Sequence, residues 1–262
     1  MLSRNLDRAR HAFKKSDVHE MRKAHDMGAG EPHKNEQGQY IKSMIYGGLD
    51  GIITTFAVVA GVAGASLSAG IVLILGFANL IADGLSMAIG DYLSTKAENE
   101  YNQTERAREQ WEVEHHPAGE KQELIEIYTD KGIPKEDAQT MVDILSKHEK
   151  AWVDIMMVEE LGIIESDESP LKNAMVTFAS FVVFGFLPLA IFVLAYFIPG
   201  LSDKTFVLAS ALTGLALFSL GTFKVRITER NWFISGLEMF LVGSLAAVAA
   251  YGIGYALSSF GH

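Results

Sequence analysis

Carboxylates at helical spacing are the first chemistry legible in this chain. Glu105, Glu109 and Glu112, then Glu120, Glu123 and Glu126, recur three or four residues apart, which on a helix sets each group along one face. Like charges so arranged repel, and a divalent cation bound among them relieves the cost. Further on, Met156, Met157 and Glu160 fall within about one turn, beside Glu159. A thioether suits borderline or soft ions, so carboxylates mixed with methionine favour Fe(II) or a similar transition metal over Mg(II) or Ca(II). Plainer readings exist for the same residues. An acidic run is the usual pattern of a solvated face, and paired methionines also fill a core.

A second set lies inside apolar sequence. Asn79, Asp83, Met87 and Asp91 recur every four residues, and Asp50 and Thr54 make a shorter stripe upstream. Ionisable groups at membrane depth cost several kcal/mol and mark function by default. Two such stripes facing each other form a path on which a carboxylate binds either a cation or protons, the minimum for proton-coupled exchange. Simpler roles compete at three positions: Asp91 lies near an interface and is open to solvation, Asp50 follows Gly47-Gly48 and suits a helix cap, and Glu238 is placed to snorkel or to pair with Arg230. Asp83, near the midplane, has no such alternative.

The elements that must position these residues follow from the apolar runs. The chain has 262 residues, 49% of them hydrophobic, and a net charge of -10. The acidity is local, because Lys96 to Pro170 holds 8 basic and 20 acidic residues. Crossing a bilayer takes about 20 apolar residues in a helix, and five stretches qualify: Met44 to Ala65, Ala69 to Leu93, Asn173 to Ile198 (with Pro188 inside), Phe206 to Phe223 and Phe233 to Leu257. The expected fold is all-α, a polytopic membrane protein of five transmembrane helices with a three-helix metal-binding domain inserted between the second and third. In domain terms, residues 1–43 form a cytosolic arm, 44–93 the first two spans, 94–170 the acidic insert and 171–262 the last three spans. Within the insert, the first helix continues out of the second span to about His116, Pro117-Ala118-Gly119 breaks it, a short second helix runs from about Glu120 to Asp130, and a third runs from Pro134 to about Leu161.

Lys and Arg concentrate in the N-terminal arm (Arg4, Arg8, Arg10, Lys14, Lys15, Arg22, Lys23, Lys34, Lys42) and after the fourth span (Lys224, Arg226, Arg230), against Lys204 alone on the other side. By the positive-inside rule the N-terminus and insert are cytosolic. Met1 to Tyr40 has no apolar core of a cleaved signal, so the first span is expected to target the chain. Cysteine is absent, which excludes disulfides and thiolate metal sites. Glycines line the first two spans (Gly47, Gly51, Gly61, Gly64, Gly76, Gly84, Gly90), as expected for close helix packing within or between subunits. Of the eight histidines, His11, His19, His25, His33 and His115-His116 are scattered and read as surface residues, with His116 a candidate supporting ligand four residues after Glu112. No phosphate-cradling glycine loop is present, and no nucleic-acid partner is expected.

The stretches Tyr46-Gly47-Gly48-Leu49-Asp50-Gly51, Phe56-Ala57-Val58-Val59-Ala60-Gly61 and Leu85-Ser86-Met87-Ala88-Ile89-Gly90-Asp91-Tyr92-Leu93-Ser94 resemble the vacuolar iron transporter family, from Ile41 to the C-terminus. The resemblance implies a homodimer that exports cytosolic Fe(II), and often Mn(II), in exchange for protons. Its place would be a vacuolar membrane in a eukaryote or the inner membrane of a bacterium. It also implies a metal-gathering set at Glu109, Glu112, Glu120, Glu123, Met156, Met157 and Glu160, and a path through Asp50 and Met87. Where the family commonly has a glutamate, this chain has Asn79, and Asp83 and Asp91 offer charge on the same face. Metal is then substrate rather than prosthetic group, with Zn(II) and Co(II) as further candidates, and no enzyme activity is implied. Two other readings stand beside it. A membrane-anchored di-iron oxidase needs paired Glu-x-x-His motifs, of which the insert has one, Glu112 with His115; a sensing or storage module predicts binding without flux.

Overall fold

The computed structural model describes residues 13, 15–24, 35–164, 169–198, 200–228 and 231–260. Arg4, Arg8, Arg10, Lys14, Lys34, His11, His25, His33 and Arg230 lie outside the described residues. The chain divides into two units, Met1–Lys42 and Ser43–His262. In the first, helix α1 (Val18–Ala24) starts where the Asp17 carboxylate accepts the backbone N–H groups of His19 and Glu20 at 2.9 and 3.0 Å, an N-cap arrangement that satisfies donors with no partner inside the helix.

Among the described residues there are no strands, and five helices are long and apolar enough to cross a membrane. These are α2 (Asn35–Gly64), α3 (Ala69–His115), α7 (Pro170–Phe197), α8 (Thr205–Thr228) and α9 (Trp232–Leu257). The 47-residue α3 joins span to insert without interruption, so at about 1.5 Å per residue one rigid rod runs roughly 70 Å. Phe56, Val59 and Val62 of α2, Val72 and Leu80 of α3, and Phe181, Leu189 and Phe192 of α7 make the core of the spans. Outward residues such as Ile74, Leu85, Ile89, Leu245 and Val248 are apolar and exposed, the surface a lipid-facing bundle requires. Helix α7 runs through Pro188.

Close backbone approach explains the first-span glycines. A Cβ on Gly47 would stand 2.6 Å from the Thr177 carbonyl oxygen, and one on Gly51 would collide with the Phe181 carbonyl. Thr177 and Phe181 are themselves four apart, so α2 seats its small-residue face on one ridge of α7. These glycines therefore serve packing within the subunit.

The insert departs from three helices. Beyond the α3 extension it comprises α4 (Pro117–Asp130), α5 (Lys135–Leu145) and α6 (Glu149–Glu159). Pro117, Ala118 and Gly119 form the first turn of α4 rather than a break outside it, because proline at the first helical position lacks only an N–H that has no intrahelical partner. The expected third helix is two: the N–H groups of Lys147 and His148 reach back three residues, to Ile144 and Leu145, and end α5 in a tight turn. That turn lets α5 pack on α4 while α6 packs on α3. Both then deliver apolar faces to one core of Val113, Leu124, Ile125, Ala138, Val142, Trp152, Val153, Met156 and Met157.

Candidate metal-binding site

Two groups of acidic side chains converge in the insert. Ligand-competent oxygens of Glu109, Glu112 and Glu120 lie within 4.8 Å of one another, as do those of Glu120, Glu123 and Glu160. Glu120 belongs to both. The groups draw on the end of α3, the start of α4 and the residue capping α6, so the Pro117 turn and the packing of α6 on α3 make a site that no single helix carries.

Burial makes this cluster chemically unusual. Glu109 is fully buried and Glu120 is 5% exposed; neither oxygen of Glu109, nor Glu120 Oε2, receives a hydrogen bond from an N–H or hydroxyl group. A buried carboxylate without a donor or counter-charge is among the costlier things a fold can hold. Burial first, then the charges of Glu160 and Glu120, pushes Glu109 up to about 8. Burial also raises Glu120, with Glu123 adding to it and the neighbouring Glu109 carboxyl, then His116, opposing, and raises Glu160, with Glu123 adding and Arg108 opposing. Positive charge nearby is sparse: Arg108 holds Glu105 at 2.8 Å and approaches Glu112 at 3.9 Å. A cation bridging these oxygens would supply what the protein does not.

Met156 and Met157 are 0% and 1% exposed and pack in the insert core. That burial meets the needs of core packing, on the helix capped by Glu160. His116 lies close enough to Glu120 to act on its charge. His115 instead directs Nδ1 to the Trp111 carbonyl at 2.8 Å and stacks on the Trp111 ring, and neither carboxylate group includes a histidine. Two ion pairs brace the scaffold, Arg106 with Asp154 and Lys131 with Glu159.

In the spans the acids stand apart. Asp50 and Asp83 are half-buried, while the Thr54 hydroxyl turns back to the Asp50 carbonyl at 2.8 Å. Met87 is half-buried against the span core, and Asn79 keeps a buried Nδ2 without an acceptor. Asp91 is half-buried and accepts a hydrogen bond from Thr177 at 2.5 Å, so solvation alone does not describe it. Glu238 approaches Lys224 at 3.9 Å. Thr177 is the residue that sequence reasoning missed; the signal was available as Asn173, Thr177 and Ser180, polar at helical spacing in an apolar span, and all three are buried.

Five candidate spans interrupted by a carboxylate-rich helical insert define a multi-pass membrane protein with a candidate site for a metal cation. Residues 41–255 match the model of the VIT family. The "Vacuolar iron transporter" of Toxoplasma gondii is 41% identical over 96% of this chain and 88% of its own length, and that of Plasmodium falciparum 36% over 99% and 98%. "Vacuolar iron transporter 1" of Oryza sativa is 33% identical over 85% and 87%. The chain belongs to the VIT family. These relatives are named as transporters, not enzymes.

Proposed function

We propose that this protein carries Fe(II), and Mn(II) as a second substrate, out of the cytosol across a vacuolar or cell membrane in exchange for protons, working as a homodimer. In this reading the insert and N-terminus are cytosolic. Glu109, Glu112, Glu120, Glu123 and Glu160, with Met156 and Met157 on the adjoining helix, gather metal. Asp50, Asp83, Met87 and Asp91 pass it through the spans, alternating between metal and protons. The observation that carries the proposal is the convergence of five carboxylates, two of them buried without donors, in a chain whose relatives are named iron transporters. Glutamate oxygens suit Mn(II) and Fe(II), and thioether ligation would shift the preference toward Fe(II) over Mg(II), which holds its waters. The absence of histidine from either carboxylate group weighs against a di-iron oxidase.

Proteoliposomes test it directly. Full-length protein is expected to take up Fe(II) faster under an imposed pH gradient, and Asp50→Ala to abolish that uptake. Uptake indifferent to the gradient and intact in Asp50→Ala would end this mechanism, and binding without any flux would favour the sensing or storage reading.

A further inference from the structure

The α3 rod carries more than the two sites at its ends. Asp91 and Glu109 are about five turns apart, which puts them on the same face of one continuous helix roughly 27 Å apart. Between them, Thr95 is buried and Asn99, Asn102, Glu105 and Arg106 are half-buried, so the less exposed face of the rod is polar from collector to membrane, with Arg106 tied to Asp154. At its membrane end this face meets α7 at Thr177, which is 1% exposed and donates its hydroxyl hydrogen to Asp91 Oδ2. The Thr177 carbonyl is also where Gly47 of α2 makes its closest approach, one helical turn before Asp50. Three spans therefore converge on one residue, Thr177.

Among the described residues no Lys, Arg or His pairs with Asp91. The hydroxyl fixes one carboxylate oxygen without neutralising the charge, and the other oxygen keeps its lone pairs. Asp91 is thus oriented and still able to attract a cation. Thr54, Ser210 and Ser244 satisfy their hydroxyls on a backbone carbonyl of their own helix, whereas Thr177 directs its hydroxyl to a carboxylate of another span.

We propose that Thr177 is a positioning residue of the ion path, fixing Asp91 as the relay between the acidic collector and the Asp83, Met87 and Asp50 level. This rests on the transport reading above. The test is initial-rate Fe(II) uptake, repeated with Mn(II), by full-length protein in proteoliposomes. Thr177→Val, which keeps the shape and loses the hydroxyl, is expected to raise KM five- to tenfold with Vmax within twofold. Thr177→Ser is expected to restore KM to within twofold of wild type. In an Asp91→Asn background, Thr177→Val should add less than twofold, since coupled residues are non-additive. Wild-type behaviour of Thr177→Val, a Thr177→Ser variant as impaired as Thr177→Val, or an undiminished effect in the Asp91→Asn background would each overturn the positioning role while leaving transport standing. Wild-type vesicles that take up neither ion would overturn the transport reading and this proposal with it.

Discussion

In the insert, Glu109, Glu112, Glu120, Glu123 and Glu160 crowd within reach of common ions with few donors among them, whereas in the spans Asp50, Asp83 and Asp91 are spread along two helices, and Asp91 has its own hydroxyl donor. The difference reflects the surrounding medium. Water at the rim of the insert tolerates several carboxylates together, and their mutual repulsion is a standing incentive to bind a cation. Hydrocarbon does not tolerate such a cluster, and the acids in the spans are spread apart along their helices.

The largest expected effect separates the two regions. Asp50→Ala should lower Fe(II) flux by about 100-fold or more while leaving Mn(II) binding by the insert, read by calorimetry on the detergent-solubilised chain, within twofold. Altered binding would mean the regions are not separable. Next, Glu120→Ala removes the carboxylate common to both groups and should weaken Mn(II) binding by roughly 10- to 100-fold, the range over which even supporting groups act on a metal site. Its flux at saturating metal should stay within about threefold of wild type.

A pH dependence follows with a definite sign. Glu109 is raised from 4.5 to about 8 in the folded protein. Its contribution to stability is therefore present below pH 4.5 and is lost as pH rises through about 8. Thermal unfolding of the metal-free protein should show lower stability at pH 8 than at pH 5, by on the order of 3–4 kcal/mol from this group, and Glu109→Gln should remove most of the difference. Metal binding should strengthen over the same interval, by at most about tenfold per pH unit for each proton displaced; affinity that fell with rising pH would refute the assignment. Smallest of all, Lys131→Ala breaks a half-exposed pair with Glu159 and should cost about 0.2–1 kcal/mol, without touching either metal binding or flux.

Much of this architecture was readable from local pattern. Span positions follow from the length of apolar runs, and the α3 rod follows from helical periodicity that continues past Leu93 without proline or glycine until Pro117. The break between α5 and α6 was not readable, because Ser146, Lys147 and His148 include no strong helix breaker. Packing of the two segments on different neighbours ends the helix there. Nor did spacing reveal that α4 begins at Pro117 itself.

The sequence by itself determined which residues have ligand chemistry and that they would be helical, since side-chain type and 3.6-residue periodicity are local properties. It also confined the net negative charge to the insert. Only the tertiary structure decided that Glu109 and Glu112 meet Glu120 across the Pro117 turn, that Met156 and Met157 face the core, and that Thr177 reaches Asp91 from a span 86 positions away. Periodicity orients each helix about its own axis and carries no information on which faces meet. Close packing of α6 on α3 and of Gly47 on Thr177 supplies that information.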